Sequence, residues 1–307
     1  MEFETARMKS RFLVAVAACC AVLLPSACAA PASPTVAVTR VKPQGKLLFS
    51  SVSDNGSFNL FVMDADGYNR RQLTNLKGDV LGGKWSPDGS QIVASIEQNG
   101  VAHLFIMDAE GKNMRQLTNM RSVVHPAWSP DGRALAFSSG EAGQQDIYVI
   151  RPDGTQLRRL TQTKGNHLQP AWAPDGRRIA YISNESGTYQ LYVMTLDGAV
   201  ERISRNDQAN YQFPAWSHDG RYLAFAADST GVYELYKLDT RSGSVTPLTK
   251  DEVPSTQPAW SPDDSLLAYT VNTAKGFRLY ITTADGRSRS PIDLDSPSDE
   301  YFPDWKR

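Results

Sequence analysis

Pro126-Ala127-Trp128-Ser129-Pro130-Asp131-Gly132 is the stretch on which the reading of this chain turns. It returns as Lys84-Trp85-Ser86-Pro87-Asp88-Gly89, as Pro170-Ala171-Trp172-Ala173-Pro174-Asp175-Gly176, as Pro214-Ala215-Trp216-Ser217-His218-Asp219-Gly220 and as Pro258-Ala259-Trp260-Ser261-Pro262-Asp263-Asp264. A truncated copy, Phe302-Pro303-Asp304-Trp305, stands near the end. All six tryptophans occupy this one position, at separations of 43, 44, 44, 44 and 45 residues. A period in the forties, built of short strands and turns, marks a β-propeller with one repeat per blade.

Working outward from the Trp strand, Pro presets a turn and Gly supplies positive φ, so Ser-Pro-Asp-Gly ends the strand. A second strand follows, as in Ala134-Leu135-Ala136-Phe137, then a third, as in Asp146-Ile147-Tyr148-Val149. Both read as continuous apolar runs, which implies that both faces are covered, as between stacked blades. The recurring Ala of the second strand leaves room for a large aromatic of the neighbouring blade. The short fourth strand, as in Arg159-Leu160-Thr161, is polar and charged, as suits an exposed edge. The Trp side chains are expected to pack between blades.

The first unit, from Gly45, has three strands and no Trp strand; the last has a Trp strand alone. Tyr301-Phe302-Pro303-Asp304-Trp305 is therefore expected to pair with Lys46-Leu47-Leu48-Phe49 and close the ring. The expected fold is all-β, a six-bladed propeller of four-stranded blades over residues 45–307. Its ring is closed by the C-terminal strand on the N-terminal blade.

Ahead of it, Lys9 and Arg11 precede the apolar run Phe12 to Leu24, then Pro25-Ser26-Ala27-Cys28-Ala29. This is the pattern of a secretory signal peptide over 1–29, and the run is too short to span a membrane. Two processing routes fit. Ala27-Cys28-Ala29 suits cleavage after Ala29; Leu24-Pro25-Ser26-Ala27-Cys28 resembles a bacterial lipobox, which makes Cys28 a lipidation candidate and a lipid anchor an expectation. Residues 30–44, rich in Ala, Pro, Ser and Thr, read as a flexible linker. The only cysteines are Cys19, Cys20 and Cys28, so the propeller holds no thiol for a disulfide, a nucleophile or a metal. A net charge of -1 with mixed signs argues against nucleic acid as a partner. The chain is expected to be exported, to the periplasm or a membrane-anchored site of a bacterium, and monomeric.

None of the histidines, His103, His125, His167 and His218, has metal-motif spacing. His103 and His218 read as surface residues. The residues just before each Trp strand do not repeat, while the strand itself does. Variation on a fixed scaffold suits a binding surface at one mouth of the channel. The candidate partner-binding set there is His125, Asn166, His167, Gln169, Asn210, Tyr211, Gln257, Glu300 and Tyr301. Asp79, Asp299 and Glu300 would give a cation such as calcium a seat at the same mouth.

The pattern Pro-Ala-Trp-Ser-Pro-Asp-Gly-Arg-x-Leu-Ala-Phe, then x-Leu-Tyr-Val-Met-x-x-Asp-Gly and Arg-x-Leu-Thr, resembles the WD40-like (PD40) propeller repeats of the TolB family. It is also similar to propeller repeats of prolyl-oligopeptidase-type peptidases and some sugar lyases. The TolB resemblance covers about Gly45 to Arg307. That family carries an α/β domain before its propeller, where this chain shows only Ala29 to Lys42 before the first strand. The resemblance implies a non-catalytic binding or scaffold protein of the cell envelope that takes a protein or peptide partner at the channel mouth. The alternative is a carbohydrate-active lyase or hydrolase using His125, His167, Tyr211 and Glu300. No Gly-x-Ser-x-Gly elbow is present.

Overall fold

The computed structural model describes residues 43–250, 253–292, 296 and 298–306. The expected signal peptide, Cys28 and the linker up to residue 42 lie outside the described residues. The rest forms six four-stranded antiparallel sheets arranged as blades. Blade 1 joins the two ends of the domain: Glu300–Trp305 is its inner strand, followed outward by Lys46–Val52, Phe58–Asp64 and Arg71–Gln72. Inner strands Val80–Trp85, Val124–Trp128, His167–Trp172, Tyr211–Trp216 and Ser255–Trp260 begin blades 2 to 6. The ring expected from the orphan Trp copy is therefore formed. Among the described residues no helix is long and apolar enough to cross a membrane.

Blades adhere through apolar side chains on both faces of their middle strands. Between blades 1 and 2, Leu48, Leu60 and Val62 meet Ile92, Ala94 and Ile96. Between blades 6 and 1, Ala268, Leu279 and Ile281 meet Leu47, Phe49, Phe61 and Trp305. The small Ala of the second strand makes the expected room: Ala136 shares a cluster with Tyr181 and Tyr192, and Ala224 with Tyr269. Each fully buried side chain of this kind contributes about 1.5–3 kcal/mol. Two indoles tie adjacent inner strands directly: Trp128 Nε1 donates to Lys84 O (3.1 Å) and Trp260 Nε1 to Ala215 O (3.0 Å).

The repeat's Leu-Thr ending has a specific purpose. Thr74, Thr118, Thr161 and Thr249 accept, through Oγ1, the N–H of Leu60, Leu104, Ile147 and Leu235 in the third strand of the same blade. These hydroxyls satisfy buried donors where the short outer strand ends.

The Ser-Pro-Asp-Gly turns are held by Ser Oγ donating to the Asp carboxylate, at 2.6 Å for Ser86–Asp88 and 2.7 Å for Ser129–Asp131, Ser217–Asp219 and Ser261–Asp263. The Ser86 hydroxyl and the Ser90 N–H and hydroxyl push Asp88 down to about 2, and the serine hydroxyls likewise lower Asp131, Asp219 and Asp263. A carboxylate with a folded pKa below its unfolded value near 3.9 stabilises the fold above that value and loses this contribution as pH falls through the folded pKa. The urea midpoint should therefore fall between about pH 4 and pH 2. Replacing all four Asp by Asn should flatten that fall; an unchanged slope would count against the turns as its source. The effect is modest, because these groups are largely solvated.

Ring closure draws on more than strand pairing. Leu47 opposes Trp305, and Ser51 opposes Glu300. Glu300 is fully buried and paired with Arg70 at 2.9 Å, whose guanidinium also lies over the rings of Phe49 and Phe61. Trp305 Nε1 donates to Gln44 O (2.8 Å), and Asp304 accepts the Trp85 N–H (2.8 Å) and pairs with Lys84 (3.1 Å).

Candidate functional site: a ring of left-handed residues in the channel

Just before each Pro-Ala-Trp, the inner strand loses register with its neighbour, between Val80 and Gly83, Val124 and Ala127, Leu168 and Ala171, Gln212 and Ala215, and Thr256 and Ala259. At the centre of each bulge, three residues before the Trp, φ is positive: Gly82 (92°), His125 (55°), Gln169 (56°), Phe213 (51°), Gln257 (58°) and Phe302 (54°). Five of these carry a side chain in a conformation that strains an ordinary residue by about 1–3 kcal/mol. A bulge re-aims the side chain it carries. Here all six residues line one cavity of about 230 Å3 at the propeller axis. Its walls are the prolines Pro126, Pro170, Pro214, Pro258 and Pro303 and the six Trp.

Aromatic and non-aromatic residues alternate around the ring. His125, Phe213 and Phe302, on blades 3, 5 and 1, converge across the channel: Phe213 stands edge-on to His125 (6.3 Å between centroids) and to Phe302 (6.1 Å). Between them lie Gly82, Gln169 and Gln257. A β-carbon on Gly82 would come within 3.2 Å of the Phe302 ring, so a side chain there would crowd the aromatic group. The glutamines position the aromatics. Gln169 Oε1 accepts the Phe213 N–H at 2.6 Å; Gln257 Oε1 accepts the Phe302 N–H at 2.8 Å and the Thr270 hydroxyl at 2.8 Å.

Because Gln169 Oε1 must face the Phe213 N–H, its Nε2 is turned the other way, and that buried amide has no partner among the described residues. His125 Nδ1 is likewise buried without one. Burial pushes His125 down to about 4, so its ring is neutral at neutral pH. The channel surface thus offers two phenyl faces inside a collar of Pro and Trp, with the Gln169 amide nitrogen and His125 Nδ1 covered beneath it. Buried polar atoms of this kind ordinarily find a partner.

Of the nine expected site residues, His125, Gln169 and Gln257 meet in this cavity. The others are used within the fold. Asn166 and Asn210 accept, through Oδ1, the N–H of Gln145 and Tyr189 in the preceding blade (3.1 Å each). Asp79 and Asp299, six residues before their Trp as well, do the same for Phe58 (2.8 Å) and Phe277 (3.0 Å). His167 is almost fully buried, with Nε2 2.8 Å from Thr163 Oγ1 and Nδ1 3.3 Å from Ser183 Oγ. Tyr211 packs on Phe225 and lines a different cavity. Glu300 belongs to the closure pair, and Tyr301 packs between Phe58 and Phe277.

Three expectations are corrected. Asp79, Asp299 and Glu300 are each tied to a backbone N–H or an arginine and do not converge. Among the described residues no group of three or more His, Cys, Asp or Glu could hold a metal ion. His218 is not simply a surface residue. It lines the cavity, and its N–H and Nδ1 both reach Asp264 Oδ1 at 2.8 Å, which locks the turns of blades 5 and 6 together. The four residues considered as catalysts sit in four blades, and His125, His167 and Tyr211 share no hydrogen bond with one another or with Glu300. Phe213 and Phe302 escaped sequence reasoning, which screened for polar residues; the signal that finds them is position, three before each Trp.

The comparisons with known proteins agree with this architecture. The family model described as TolB beta propeller domain matches residues 119–306. TolB from Acinetobacter baumannii is similar in structure with a TM-score of 0.77 and 22% identity, over 85% of this chain and 66% of that one. This chain thus spans just under two thirds of that protein's length. A putative TolB from Agrobacterium tumefaciens gives a TM-score of 0.67 at 18% identity, over 86% of this chain and 99% of that one. A chain from a nidogen/laminin complex gives 0.68 at 12% identity, over 84% and 97%. At such identities the structural likeness speaks for the fold alone. No curated protein matches. The repeat, the closed six-bladed ring and the family match over more than half of the sequence place the chain in one family: it belongs to the TolB β-propeller (PD40) family.

Proposed function

We propose that this chain is an exported, non-catalytic binding protein of a bacterial cell envelope, and that it takes a protein or peptide segment into the central channel. One observation carries the reading: the bulged residues three before each Trp, Gly82, His125, Gln169, Phe213, Gln257 and Phe302, all line one cavity. The side chains of a peptide suit the Pro, Trp and Phe surfaces of that cavity. A cavity of about 230 Å3 has room for a chain end or a few side chains, not for a folded domain. The family supports a binding role, and the dispersal of the candidate catalysts gives the carbohydrate-enzyme alternative no geometric support.

The test is capture of a partner from envelope extracts by the full chain and by a His125→Ala/Phe213→Ala variant. The wild type should retain a saturable partner. The variant should bind at least about tenfold more weakly, the equivalent of one buried contact, with its melting transition intact. Equal capture by both would sink the channel as the binding site.

A further inference from the structure

An asparagine directly before a glycine is the amide most open to attack by its own backbone, because no β-carbon shields the following nitrogen. Two asparagines stand so, Asn55-Gly56 and Asn99-Gly100. Each lies in the turn between the second and third strands of its blade, blade 1 for Asn55 and blade 2 for Asn99. The same dipeptide thus occupies the same place in two neighbouring blades, and the two turns are held differently. The Asn55 carboxamide is tied on both sides. Its Oδ1 accepts the Ser57 N–H (2.9 Å), and its Nδ2 donates to Asn75 Oδ1 (3.0 Å) and Leu76 O (2.9 Å). The nitrogen that would attack it is tied as well: the Gly56 N–H donates to Ser53 O at 2.9 Å.

Asn99 has none of these ties. With Gly100 it makes up the whole of a two-residue hairpin loop, closed by the pairing of Gln98 with Val101. φ is 55° at Asn99 and 81° at Gly100, the mark of a type I′ turn. Both residues are exposed. The Asn99 side chain and the Gly100 N–H make no hydrogen bond among the described residues. A β-carbon on Gly100 would meet nothing within 4 Å, so the tip stands clear of the rest of the blade. The hairpin is pinned just below it, where the Glu97 N–H donates to Asp79 O at 2.8 Å. The left-handed turn has to flatten before the Gly100 nitrogen can reach the carboxamide carbon. Only the tip has to move, and an exposed tip with no side-chain tie opens at little cost in free energy.

We infer that Asn99 is a site of spontaneous deamidation in the folded protein, and that Asn55 is protected from it. The Gly100 nitrogen loses its proton to solvent base and attacks Asn99 Cγ; ammonia leaves, and a five-membered succinimide closes. Water then opens the ring at either carbonyl, giving aspartate or, with the chain continued through Cγ, isoaspartate. Either product puts a new negative charge at the tip of blade 2, and isoaspartate adds a backbone atom to a loop of two residues. This does not rest on the channel reading. The full chain, aged in mildly alkaline buffer and then mapped by proteolysis and mass spectrometry, tests it. Exchange of NH2 for OH adds one mass unit, whereas isomerisation at the Asp-Gly turns leaves the mass unchanged. The Asn99 peptide should convert at least about tenfold faster than the Asn55 peptide, as a free tip opens more often than a tied turn. In urea that unfolds the chain the two should convert within about threefold of each other, because the dipeptide is the same. Asn99→Gln should abolish the mass gain in the hairpin peptide and leave the Asn55 rate unchanged. Equal rates in the folded chain, no conversion at Asn99, or a preference that persists in urea would each overturn the assignment.

Discussion

Removal of residues 301–307 should lower the melting temperature by about 15 °C or more, or abolish cooperative unfolding altogether. The segment carries all but the first residue of the inner strand of blade 1, on which Leu47, Leu48 and Ser50 depend for their pairing. Tyr301 and Trp305 are almost fully buried, and deleting a buried aromatic commonly destabilises by about 3–5 kcal/mol. Blade 2 would lose the Asp304 carboxylate on the Trp85 N–H and the ion pair on Lys84. A linear array of five whole blades and one three-stranded blade also exposes two open sheet faces that the ring conceals. Differential scanning calorimetry of the full chain and the truncated chain measures the effect. A melting temperature within a few degrees of wild type would refute closure as the source of stability.

Arg70→Ala should destabilise the fold by about 3 kcal/mol, because it takes the cation from a carboxylate that is wholly out of water. Arg70 is itself partly exposed, which holds the effect toward the lower end of the range for buried pairs. Its guanidinium also donates to Ser51 and Ser296 and covers Phe49 and Phe61, so some of the loss is packing. Acidity separates the two parts. Without Arg70, burial raises the folded pKa of Glu300 above its unfolded value. Protonation then favours the folded state, and the stability lost at neutral pH should return as pH falls toward and below the unfolded value of about 4.3. Chemical denaturation of Arg70→Ala at pH 7 and pH 4.5 should show a smaller deficit relative to wild type at the lower pH. Arg70→Ala/Glu300→Gln should be more stable at pH 7 than Arg70→Ala. A deficit independent of pH, with no rescue by the double change, would assign Arg70 to packing only.

The tryptophan spacing was enough to count the blades and to find the closing strand, because a period of about 44 residues is set by covalent chain length. The site was harder. Choosing polar residues near the strand entry picked up Asn166 and Asn210, whose Oδ1 atoms cap backbone donors of the adjacent blade. Such caps and solvated contacts have the same composition in a sequence. Phe213 and Phe302 were passed over because an apolar residue in a strand reads as core. What moves them into the channel is the bulge, which breaks the alternation of faces that strand reasoning depends on. The left-handed backbone at Gln169 and Gln257 had no local signal, since Gly marks this conformation only at Gly82.

Trp305 reaches back to Gln44 across 261 residues, and Arg70 to Glu300 across 230. Contacts of such separation form late, since the whole intervening chain must be ordered before they can be made. During synthesis blades 2 to 6 can each gather their own hairpins, but blade 1 waits for the last strand to leave the ribosome. Until then the growing chain has no way to lock its ring. The order in which the strands are encoded thus acts as a timer: the domain becomes rigid only once its last strand is free.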